Sequence, residues 1–139
     1  MGEEVVLSCN GSALVDWCSK KSNECTEIRN IKNTTFDISV NQIPIGRSEI
    51  SLFIFIQPSH ANLMSLSYNA TKLHDKNTWA VSIGDKNNAD RNRKGLVHND
   101  ISINRLSGNF KTFYIRTTNE GKMTQVYSGN CREVTTQKF

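Results

Sequence analysis

An all-β domain of about eight short antiparallel strands, closing as a barrel or as a two-sheet sandwich, is the architecture this sequence predicts. Three observations lead there. Apolar and polar residues alternate at period two in run after run. The links between runs are short and carry Gly, which suits antiparallel neighbours and not parallel crossovers. Finally, Cys9, Cys18 and Cys25 stand near the start and Cys131 near the finish, as expected of a braced domain whose ends meet.

Val5, Val6 and Leu7 open the chain as a first strand. Over 12–23 the period changes: Ala13, Leu14, Trp17 and Cys18 recur at helical spacing behind Ser12, a possible N-cap, so one short helix is expected there. Strands follow at 36–41, 49–57, 64–69, 79–83, 101–104, 110–116 and 123–128. Their apolar phases nominate the core: Ile38 and Val40, Leu52 and Ile54, Leu66 and Tyr68, Trp79 and Val81, Ile101 and Ile103. In 49–57 the second face is apolar too, through Phe53 and Phe55, which predicts a strand that is central or covered. Pro44-Ile45-Gly46, Ser107-Gly108-Asn109 and Asn119-Glu120-Gly121 supply turns.

The 139 residues read as one domain, large enough to bury a core without help from disulfides. Met1-Gly2 reads as an expression remnant ahead of a mature chain whose export signal has been removed. The longest apolar run, 52–56, is far too short to span a bilayer. Four cysteines allow three connectivities, and a first strand lying beside the last would bridge Cys9 to Cys131 and leave Cys18 to close a small loop with Cys25. Metal is not expected, because the cysteine spacing matches no common zinc pattern.

The chemistry-bearing residues are sparse. His60, His74 and His98 sit in polar, turn-like contexts, and a set such as Ser59, His74 and Asp100 has no nucleophile motif behind it. No phosphate-cradling Gly-rich loop occurs, so no cofactor is expected. Trp79, Phe53, Phe55, Tyr68, Phe113 and Tyr114 would either fill a core or line a ligand cavity. Sequons stand at Asn10, Asn33 and Asn69, of use only in a eukaryotic secretory pathway. Net charge is +4, and its densest stretch is 85–95, an expected exposed loop with Lys86, Arg91, Arg93 and Lys94. That stretch lacks aromatics, which argues against nucleic acid. These four cations, with Arg105, are the candidate binding residues, Arg105 serving equally well to bridge its hairpin.

Two segments carry a likeness. Leu7-Ser8-Cys9-Asn10-Gly11 opens the chain; Ile103-Asn104-Arg105-Leu106-Ser107-Gly108 and Tyr127-Ser128-Gly129-Asn130-Cys131 close it. Together they resemble small exported bacterial β proteins with an N-terminal Leu-x-Cys strand, an Ile-x-Arg-x-Ser/Thr-Gly hairpin and a C-terminal Gly-x-Cys. The resemblance covers about a third of the chain and implies compartment and fold class, with no active site. Cys18 and Cys25 depart from the simplest pattern and leave room for an insertion near 12–25.

The functional expectation is a non-enzymatic, monomeric bacterial domain, periplasmic or secreted. It would bind a protein or envelope component, as an inhibitor or immunity protein does. A barrel carrier of a small apolar ligand is the alternative, and a hydrolytic enzyme without recognisable motif the third reading.

Overall fold

The computed structural model describes residues 3–84 and 96–134. It is all-β, with no helix among the described residues, and therefore none long and apolar enough to cross a membrane. Eight strands follow in chain order: β1 (Glu3–Ser19), β2 (Cys25–Pro44), β3 (Glu49–Pro58), β4 (Leu66–Leu73), β5 (Thr78–Gly84), β6 (Leu96–Asn104), β7 (Asn109–Thr117) and β8 (Gly121–Glu133). They form one sheet in the order β4-β3-β2-β1-β8-β7-β6-β5. Every paired neighbour is antiparallel, and the sheet curls into a nearly closed barrel. Of the two architectures expected, the structure is therefore the barrel.

Around the ring the strands run in sequence order, and the seam lies between β4 and β5. The Lys72 Nζ donates to the Ala80 carbonyl across it at 2.7 Å. One end of the barrel gathers the start of β1, the β4–β5 connection and the β6–β7 turn. The other gathers the β1–β2 hairpin and the β3–β4 loop.

The helix expected near 12–23 is absent. β1 runs straight through to Ser19, and the hairpin reverses only at 20–24, where Asn23 takes a left-handed φ of 56° that Asn tolerates. The reason is pairing on both edges. From Ala13 to Cys18, β1 is flanked by β2 and β8, so its backbone groups are satisfied by the ladders. Ala13 and Val15 then turn inward at period two, and the helical spacing of Leu14 and Cys18 is incidental.

Inside, the ten expected core side chains are all buried. Phe36 packs edge-on to Phe110, with centroids 5.3 Å apart, and tilts over Tyr127 at 5.1 Å. The Tyr127 hydroxyl crosses to donate to the Met64 carbonyl at 2.8 Å, tying the β3–β4 loop over its end of the barrel. Trp79, Tyr68 and Phe110 also point inward, so most of the lumen is side chain. Of the two expectations for 49–57, the strand is central, paired with β2 on one edge and β4 on the other, and it is not covered on its outer face, where Phe53 is exposed. A barrel wall is a single layer, and nothing lies outside it to cover the odd positions of β3.

Truncating Leu52 or Ile54 to Ala should cost about 2–5 kcal/mol in chemical denaturation, because both are fully buried in this interior. Alkaline titration supplies a second check. Burial pushes the Tyr127 phenol up to about 12 and holds Tyr68 well above its ordinary value. A phenol held neutral by folding contributes stability that is complete below the unfolded pKa of about 10 and is lost as pH rises through the folded value. Melting temperature should therefore fall above about pH 10. Phenolate absorbance should lag for these two rings until unfolding, and Tyr127→Phe should remove part of the lag.

Candidate functional site

The β6–β7 turn is the most heavily fastened loop among the described residues. The Asn104 Oδ1 accepts the backbone N–H of Leu106 at 2.9 Å and of Ser107 at 3.0 Å. Gly108 N–H donates back to the Asn104 carbonyl at 2.8 Å, and the Ser107 hydroxyl accepts Asn109 N–H at 3.2 Å. β8 then holds the turn from beneath. Cys131 N–H donates to the Gly108 carbonyl at 2.8 Å, and Asn130 Nδ2 reaches the Ser107 carbonyl at 3.0 Å and Asn109 Oδ1 at 2.9 Å. Gly108 has φ +82°, and a Cβ there would lie 2.3 Å from the Cys131 carbonyl oxygen, so only Gly fits.

On this fixed turn Leu106 is 80% exposed. Beside it the Arg105 guanidinium stacks on the Trp79 ring, 4.2 Å from its centroid, and donates from Nη1 to the Asp75 carbonyl at 3.0 Å. Arg105 N–H also donates to the Asn77 carbonyl at 2.8 Å, so the turn and the β4–β5 connection form one unit. Between this unit and the start of β1 lies a groove of about 250 Å³. Val5, Leu7, Trp79 and Ile103 form its apolar floor, and Glu3 and Glu133 stand on the far rim. The site therefore offers a projecting aliphatic side chain, one cation and two carboxylates around a groove whose exposed lining is mainly polar.

Among the expected binding residues, Arg105 belongs to this site. Lys86, Arg91, Arg93 and Lys94 lie outside the described residues. The strand ends that bracket them, Gly84 and Leu96, are at the opposite end of β6 from Arg105, roughly 27 Å away along the strand. Sequence reading missed Leu106, though an aliphatic residue between two turn-forming positions was itself a signal. It also missed the one histidine–carboxylate contact among the described residues: His98 Nε2 and Asp100 Oδ2 are 2.7 Å apart on the outer face of β6. Their i, i+2 spacing on a strand places them on one face. Ser59 and His74 fall at opposite ends of the barrel, so the set they would form with Asp100 does not assemble. Among the described residues no three His, Cys, Asp or Glu side chains converge on a metal position.

Both disulfides, Cys9–Cys131 and Cys18–Cys25, are formed, and no cysteine is free. Cys9 is fully buried and Cys131 nearly so, whereas Cys25 is exposed at the far hairpin. No protein-family model, curated protein or solved structure matches this chain.

Access to the attacked sulfur controls thiol exchange. Stepwise reduction with alkylation mapping should therefore open Cys18–Cys25 first, with the smaller of the two losses of melting temperature. Opening Cys9–Cys131 should require harsher conditions and cost more. On the chain-entropy argument the long bridge contributes about 5 kcal/mol and the short one about 2.5.

Proposed function

We propose that this protein is a non-enzymatic, exported binding domain that engages a protein partner, as a monomer, through the Leu106 turn and its groove. The exposure of Leu106 on a turn held by its own Asn104, by β8 and by the β4–β5 connection carries the reading. An aliphatic side chain on a backbone that is already fixed leaves only its own rotamers to be ordered on docking, which lowers the entropic cost of using it as an anchor. Arg105 and the Glu3/Glu133 rim would orient the partner by charge. Two disulfides support a periplasmic or secreted location, since bridges persist where the medium is oxidising. Inhibition of a cell-wall hydrolase or immunity against an injected toxin are the specific versions of this activity. The carrier reading is weakened by Phe36, Phe110, Tyr68 and Tyr127, which occupy the space a ligand would need.

Capture from envelope extract, followed by affinity measurement on the retained protein, tests the proposal. Leu106→Asp should weaken binding by about thirtyfold or more and leave the melting temperature unchanged. Arg105→Glu should lower the association rate and its salt dependence. Unchanged affinity for the Leu106 variant would remove this turn from the interface.

A further inference from the structure

β4 and β5 are consecutive, antiparallel and joined by four residues, yet no ladder pairs them. The bonds at their ends show what that leaves open. His74 N–H donates to the Ser48 carbonyl and Arg105 N–H to the Asn77 carbonyl, each at 2.8 Å, continuing the β3–β4 and β5–β6 ladders by one residue. Bonded positions alternate along an antiparallel strand. The even positions of β4 therefore turn their backbone groups to β3, and the odd positions of β5 turn theirs to β6. The remainder face the seam: N–H and C=O of Ser67, Asn69 and Thr71 on one side, of Thr78, Ala80 and Ser82 on the other. Lys72 fits this scheme, since its Nζ meets the Ala80 carbonyl at 2.7 Å. Among the described residues that is the only hydrogen bond between the two strands.

A row of unpaired N–H and C=O groups is matched by another strand and by little else. On a second copy of the chain the same edges are self-complementary under a two-fold axis. None of the six seam residues is charged, so like charges would not hold two copies apart. In a chain that is 22% charged, the eight positions of β4 and seven of β5 hold one charge, Lys72. It lies on the inward phase with Leu66, Tyr68 and Ala70, and its ammonium sits in the seam. An inward-pointing charge on an edge strand is a recurrent guard against strand addition. While Lys72 reaches Ala80, β5 stands across the β4 edge, and an incoming strand would have to bury the ammonium without its partner. We propose that Lys72 is the latch of this barrel and keeps the chain monomeric. Without its bond, β4 and β5 part and their edges pair with those of a second copy. The latch is independent of the Leu106 turn, and either can fail without the other.

Size-exclusion chromatography and residue-resolved hydrogen exchange on Lys72→Met, which keeps the apolar stem and loses the donor, provide the test. The unaltered protein should elute as a monomer, with the seam amides of Ser67, Asn69, Thr71, Thr78, Ala80 and Ser82 exchanging fast. Lys72→Met should form a dimer that grows with concentration, and in it these amides should be slowed roughly tenfold or more. Amides of the β1–β8 ladder should exchange as before, and Lys72→Arg should stay monomeric. Should Lys72→Met not fold, acetylation of the unaltered protein replaces it. Lys72 should react roughly tenfold more slowly than the exposed Lys111 and Lys122, and chains acetylated at Lys72 should elute as dimers. The proposal is overturned if Lys72→Met remains monomeric, if it dimerises without protecting the seam amides, or if Lys72 is acetylated as fast as the exposed lysines.

Discussion

Closure of the first strand on the last is the constraint on which the rest of this structure depends. β1 and β8 meet so that Cys9-Asn10-Gly11 lies against Gly129-Asn130-Cys131, residue for residue. The facing glycines let the two backbones approach closely: a Cβ on Gly11 would fall 1.9 Å from the Ser128 carbonyl oxygen, and one on Gly129 2.2 Å from that of Asn10. The disulfide two positions along then fixes the register. A slip of one residue would turn Leu7, Ala13 and Tyr127 outward and separate the sulfurs, so the bridge and the hydrophobic phase enforce the same pairing. The display turn is carried on this ladder as well, since Gly108 and Ser107 are bonded to Cys131 and Asn130. Loosening the closure would loosen the candidate interface.

How much of this was legible beforehand varied with the element. Runs with one wet face, such as those of β2 and β4, were read correctly because alternation reports the pleat directly. The cysteine pairing was likewise readable from the positions of the termini. The far hairpin was not. Polar residues in the first third of β2 give no inward phase, since that segment extends past β3 and is almost wholly exposed. β1 opposite it mixes small, aromatic and aliphatic residues that suit either period, and only the presence of partners on both edges decides the matter. The two-sided apolar character of β3 fits its central position between β2 and β4, but gives no sign that the outer face at Phe53 stays uncovered. The candidate site was half visible. Arg105 and the Ser107-Gly108 turn stood out, but the stacking on Trp79 and the support from Asn130 join residues far apart in the chain.

The interior also departs from a purely apolar core. Thr112 is fully buried and accepts the Tyr127 backbone N–H through its Oγ1 at 3.1 Å. Gln42, Asn99 and Gln125 are buried as well, and Gln42 Oε1, Asn99 Oδ1 and Gln125 Nε2 have no protein partner. Gln42 lies toward one end of the barrel, Asn99 and Gln125 toward the other. The apolar layer is thus bounded above and below by amides. Buried amides without partners cost free energy, so stability here rests the more heavily on the aliphatic and aromatic middle layer and on the covalent closure.

The circular order of the strands bears on how such a chain finds its shape. β1 to β4 form one run of adjacent hairpins and β5 to β8 another, and every ladder within them joins strands consecutive in the chain. Only the β1–β8 ladder is distant, with its cysteines 122 residues apart. Nearly all the entropy of long-range loop closure is therefore concentrated in a single event, the docking of two meanders along their outer edges. Until that event each meander has an open edge and a bare apolar face, the state in which β proteins aggregate. Oxidation of Cys9 and Cys131 makes the docking irreversible in a non-reducing medium. For a chain of this order, the disulfide is as much a ratchet on assembly as a brace on the finished barrel.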